Sequence, residues 1–101
     1  MNDAIVTEMV GGEPYEYVPL GDHVVRAIGV CRGRPTFKYT RIEIAGVLDR
    51  VADGESLDEI ARGFDSYVSR EAIAEAVTIA NRLFTASYPA FPSLAVQKIA
   101  A

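Results

Sequence analysis

The sequence predicts a mostly α-helical fold: a tri-helical helix-turn-helix unit preceded by a β-hairpin. Three observations predict it. Before residue 31 the apolar residues alternate or run β-branched between turn signals, which is the pattern of strands. From residue 44 onward the apolar period becomes that of a helix, and three such stripes follow one another with a short one in the middle. Glycine, serine and proline sit at the joints, where caps and stops belong.

Taken in order, residues 1–14 show little periodicity, and Gly11-Gly12-Glu13-Pro14 reads as a turn. Tyr15-Glu16-Tyr17-Val18 alternates and favours an extended chain, and Pro19 confines that strand to an edge or ends it. Gly21-Asp22 supplies a tight turn. The run from His23 to Val30 is apolar and β-branched and reads as the second strand of the hairpin. Ile44, Val47, Leu48 and Val51 then fall on one helical face, with Gly54 as the glycine past the helix end. Ser56-Leu57-Asp58-Glu59 matches a capping box, with Ser56 as N-cap and Glu59 at N3. Leu57, Ile60, Ala61 and Phe64 form the stripe of this second helix. Ser69 caps a third, striped by Ile73, Ala76, Val77, Ala80, Leu83 and Phe84. Pro89 and Pro92 break it. The expected division is a hairpin arm over 1–31, a helix-turn-helix-like unit over 32–87 and a tail over 88–101, within one compact domain.

A chain of 101 residues fits one domain, and one this small gains from dimerisation because its core is limited. Half of the residues are hydrophobic, which is enough for a packed core and excludes a disordered chain. Cys31 is the single cysteine, so no disulfide forms within the chain. No apolar run approaches the roughly 18 residues of a membrane span. Asp3 stands where a secretory signal needs basic charge. The expectation is a cytoplasmic protein with no membrane contact.

The net charge of −4 argues against binding nucleic acid through bulk charge. Its distribution is uneven. Asp3, Glu8, Glu13, Glu16 and Asp22 come before any base, whereas residues 23–42 hold Arg26, Arg32, Arg34, Lys38 and Arg41 with no acid. The stretch Val30–Ile42 is therefore the one basic part of an acidic chain. It also joins the strand half to the helical half.

That stretch carries a resemblance. Gly33-Arg34-Pro35-Thr36-Phe37-Lys38, Thr40-Arg41-Ile42, Gly54-Glu55-Ser56-Leu57-Asp58-Glu59-Ile60 and Ile73-Ala74-Glu75-Ala76-Val77 resemble, in order and spacing, the bacterial family called domain of unknown function 433. The likeness runs from Val30 to Phe84. Tyr39 stands where the family pattern has glycine, which puts a positive-φ turn there in question. Glu43 stands where a proline is common, so the first helix is free to start differently. The resemblance implies a homeodomain-like tri-helical fold and a loose relation to VapB-type antitoxins, which bind their own promoter and neutralise a toxin.

The candidate nucleic-acid contacts are Arg32, Arg34, Lys38 and Arg70. The first three lie just before helix one, where a homeodomain places its minor-groove arm, and Arg70 opens the third helix. Glu71 and Glu75 on that helix repel phosphate. The competing reading makes the arginines structural: Arg41 clamps strand to helices, and Arg34 pairs with Asp49, Asp58 or Glu59. His23 and Cys31 stand apart from any partner at catalytic or zinc-binding spacing, so neither an enzyme nor a metal or cofactor is expected. The apolar end of the chain, with Tyr88, Phe91, Leu94 and Val96, is the candidate partner-binding segment. The leading expectation is a non-enzymatic, DNA-associated antitoxin or transcriptional regulator that forms a homodimer and meets a toxin protein. The alternative is an interaction or dimerisation module with no DNA binding.

Overall fold

The computed structural model describes residues 4–92. They form four strands, β1 (Val6–Val10), β2 (Glu13–Pro19), β3 (Val24–Ala27) and β4 (Thr36–Phe37), followed by three helices, α1 (Ile44–Ala52), α2 (Leu57–Gly63) and α3 (Arg70–Ser87). The strands make one antiparallel sheet in the order β1-β2-β3-β4. The expectation of a mostly helical helix-turn-helix fold is thereby corrected: the described residues are 42% helical and 21% strand, a four-stranded antiparallel sheet plus three helices. The helices occur where their periodicity put them. They do not enclose a core of their own, because Val24 of β3 and Phe37 of β4 share one apolar cluster with Ile44, Val47, Ile60 and Ile73.

Two strands account for the difference. β1 pairs with β2 up to Val10↔Glu13, so the turn is only Gly11-Gly12. Both glycines have positive φ, 59° and 81°, as a two-residue type I′ hairpin turn needs. β4 is two residues long and pairs through Val24↔Phe37 and Val25↔Thr36. It lies inside the basic stretch, which is thus part of the sheet and not an arm ahead of helix one. Its backbone is held on one side by β3 and on the other by the segment leading into α1, where the amide of Phe37 donates to the carbonyl of Ile42 at 3.1 Å, and it is not free to follow a groove.

The alternation of side chains sorts the sheet into two faces. Val24 and Phe37 face the helices. Tyr17, Val25 and Ala27 are buried on the opposite face, with Tyr15 and Val30 packed against them.

The helix ends follow their sequence signals. Gly54, at φ 95°, lets its own amide reach the carbonyl of Val51 and that of Glu55 reach Arg50, a Schellman ending for α1. Ser56 Oγ accepts the amide of Glu59 at 3.1 Å and Glu59 Oε1 accepts the amide of Ser56 at 2.9 Å, which completes the capping box. Ser69 Oγ accepts the amide of Ala72 at 3.1 Å and starts α3. Glu75, read above as a repulsive surface acid, is half-buried and holds the turn between β2 and β3. Its carboxylate accepts the amides of Asp22 at 2.8 Å and His23 at 2.6 Å.

Candidate functional site

The four residues expected to meet nucleic acid do not form one open basic surface. Arg34 pairs with Glu43, Nε donating to Oε1 at 2.7 Å and Nη2 to Oε2 at 3.0 Å. Its partner is thus the residue just before α1, and not Asp49, Asp58 or Glu59. The hydrogen bond to Glu43 holds the guanidinium pKa up, and that to Arg34 holds the Glu43 carboxyl below the usual carboxylate range. Glu43 has φ −75°, a value proline also adopts, so α1 starts on a proline-compatible backbone. Arg70 pairs with Asp58 across α2 and α3 at 3.2 Å.

Lys38 lies on the sheet face away from the helices. Its ammonium is 3.4 Å from Glu8 Oε2 and sits 4.9 Å and 5.0 Å from the ring centres of Tyr17 and Tyr39. Tyr17 and Tyr39 both donate their hydroxyls to Glu8, the latter at 2.6 Å. These bonds, Tyr17's foremost, hold the Glu8 carboxyl low. The contact with the Tyr17 hydroxyl is the largest influence raising the Lys38 ammonium. Tyr15 completes the group, its ring 5.1 Å from Tyr17 and 5.3 Å from Tyr39 and its hydroxyl accepting the Tyr39 amide at 2.9 Å. Tyr39 has φ 67°, so the turn of the family glycine is kept by a tyrosine with three partners. Sequence reasoning missed this cluster because Glu8 enters it only through the β1–β2 pairing, Glu8↔Tyr15.

Arg32 differs from the other three. It is exposed, has φ 56° within the 3-10 turn Cys31–Gly33, and makes no side-chain ion pair among the described residues. Arg41 is exposed in the same way and is not the clamp expected of it. Thr40 does that work: its hydroxyl donates to the carbonyl of Phe37 at 2.8 Å and accepts the amide of Ile42 at 3.0 Å. Cys31 Sγ donates to the carbonyl of Arg41 at 3.5 Å, so the loops carrying Arg32 and Arg41 lie side by side.

His23 borders a shallow pocket with Asp22, Lys38 and Tyr67 that Cys31 does not line. Among the described residues no three of His, Cys, Asp and Glu gather as a metal site. No helix among them is long and apolar enough to cross a membrane.

The expected partner-binding end is apolar and uncovered. Leu83, Phe84, Tyr88 and Phe91 are 64%, 66%, 71% and 61% exposed, and the rings of Phe84 and Tyr88 lie 5.1 Å apart. Leu94 and Val96 lie outside the described residues. Around the helix from the aromatics, α3 and α1 bound an apolar groove of about 260 Å³, with Ala45, Leu48, Ala76, Ala80 and Leu83 in its lining.

Fold and surface together define a small sheet-and-helix domain that offers side-chain contacts. The chain belongs to the family described as protein of unknown function (DUF433), whose model matches residues 24–79, more than half of the chain. No curated protein and no solved structure matches. The matched span runs from β3 to the middle of α3, so β1, β2 and the apolar end of α3 lie outside it.

Proposed function

We propose that this chain is a small non-enzymatic regulator of the antitoxin type that works by holding a partner protein. The observation that carries the reading is the exposed aromatic group at the end of α3: Phe84 on the helix and Tyr88 and Phe91 just past it are uncovered, and the buried residues of the helix all lie in its first half. Exposed aromatic groups of this kind mark protein-binding surfaces, and aromatic anchors contribute much of the energy of such contacts. The loose relation to VapB-type antitoxins that the family resemblance implies and the acidic balance of the chain support the same reading. An acidic protein suits a basic, nuclease-like partner. The test is co-expression with the product of an adjacent gene encoding a small toxin-like protein. The expected result is co-purification that is lost in Tyr88→Ala/Phe91→Ala. Equal retention by that variant, or no complex at all, overturns the reading.

A second reading, contact with DNA, is favoured by one observation: Arg32 and Arg41 are exposed and unneutralised on neighbouring loops. A gel-shift assay at low salt with the upstream DNA tests it, with loss of the shift in Arg32→Ala/Arg41→Ala as the supporting result. Arg34, Lys38 and Arg70 each already face a carboxylate, which lowers what they can offer phosphate.

A further inference from the structure

The groove between α1 and α3 lies apart from the aromatic face used above. Its volume of about 260 Å³ falls below the ~300–1,000 Å³ of small-molecule pockets and suits entering side chains. Its α3 wall alternates small and large residues along one helical face: Ala76, Ile79, Ala80, Leu83. Leu83, at the rim, is a protruding knob, and the alanines are the hole. Knob and hole thus lie on the same face of the same helix. That is what a two-fold interface requires, because each copy must supply both halves of the fit.

Charge singles out the occupant. The chain carries −4 overall, so most of its surface repels a second copy. On the α3 wall, however, Arg82 is the only charged residue from Ala76 to Pro92, and the charged residues on the groove's other side, Arg34 and Glu43, neutralise each other as an ion pair. Protein interfaces are depleted of charge at their centres, and a near-neutral face meets its own copy without like-charge repulsion.

We propose that the α1–α3 groove is the seat of a homodimer, with Leu83 of each copy entering the other's groove over Ala80 and against Ala45 of α1. The inference stands apart from the partner-protein reading, which rests on Tyr88 and Phe91.

Sedimentation of the full chain at tens-of-micromolar concentration tests it, with circular dichroism as the check on folding. The wild type is expected to run at twice the monomer mass. Leu83→Glu and Ala45→Glu are each expected to halve it. Ala45 is exposed in the first turn of α1, where an acid favours the helix, so Ala45→Glu keeps the fold while charging the opposite wall. A monomeric wild type overturns the proposal. If Leu83→Glu then also releases the co-expressed partner, the groove belongs to that partner. A dimer that survives either variant overturns it as well and places the interface elsewhere, for example at the open edge of β1. Retention of the partner by dissociated Leu83→Glu separates the dimer face from the partner face.

Discussion

The carboxylate of Glu75, on α3, accepts the backbone amide of His23, just before β3, at 2.6 Å, and its other oxygen takes the amide of Asp22. One side chain thus ties the last helix to the turn between β2 and β3. A charged hydrogen bond contributes about 1.5–3 kcal/mol, so Glu75→Ala is expected to cost about 2 kcal/mol in urea denaturation. Gly21 lies against the same carboxylate: a Cβ built there would stand 2.7 Å from Glu75 Cδ. Gly21→Ala therefore displaces the latch. Its cost is expected in the wild-type background and absent beside Glu75→Ala, and a double-mutant cycle reads that coupling. Simple additivity would remove the latch from the account.

The hydroxyl of Thr36 gives a prediction of the opposite sign. Thr36 is fully buried on β4, and its Oγ1 has no hydrogen-bond partner among the described residues. Thr36→Val keeps the branched shape that suits a strand and removes an unsatisfied polar atom. The expected result is a gain of about 1 kcal/mol, read as a higher urea midpoint with an unchanged slope. A loss would mean that the hydroxyl is satisfied in solution.

The cluster around Glu8 predicts a pH dependence. Hydrogen bonds from Tyr17 and Tyr39 and the nearby Lys38 lower the folded carboxyl pKa. The stabilisation is therefore complete above the unfolded value of about 4.3 and is lost as pH falls through the lower folded value. Glu8→Gln is expected to remove that part of the acid-side loss, leaving the part due to Glu43, Glu55 and Glu59, whose carboxyls are also held low. Urea midpoints measured from neutral pH down through this window give the comparison. Parallel profiles for the two proteins would remove Glu8 from the account.

The helices and the β2–β3 hairpin were legible in the chain because they announce themselves locally. Ile44, Val47 and Val51 repeat at helical spacing, Ser56 and Glu59 sit at capping distance, and Tyr15 and Tyr17 alternate. β4 was not legible: two residues have no period, and Thr36-Phe37 becomes a strand only because β3 lies beside it. β1 was hidden differently. Its residues are extended only in pairing with β2, and the Gly11-Gly12 signal was read too broadly, as a turn running on into Glu13 and Pro14. With those strands missed, three helices in sequence read as a self-contained bundle. The site was obscured for the same reason. A count of bases along the chain shows Arg34, Lys38 and Arg70, but the acids opposite them, Glu43, Glu8 and Asp58, are set by the fold.

The Arg34–Glu43 pair turns the DNA reading into a measurement. While Glu43 holds both prongs of the guanidinium, Arg34 has little to offer phosphate. Glu43→Gln removes the opposing charge and leaves the backbone that starts α1 as it is, so circular dichroism is expected to be unchanged. If the basic stretch faces DNA, the freed Arg34 adds one phosphate contact. The dependence of log affinity on log salt then steepens by about 0.9, and binding at low salt tightens. Fluorescence anisotropy with a labelled duplex across a salt series measures both. An unchanged slope would mean that Arg34 does not face DNA, and with Lys38 and Arg70 also paired, any contact with DNA would rest on Arg32 and Arg41 alone.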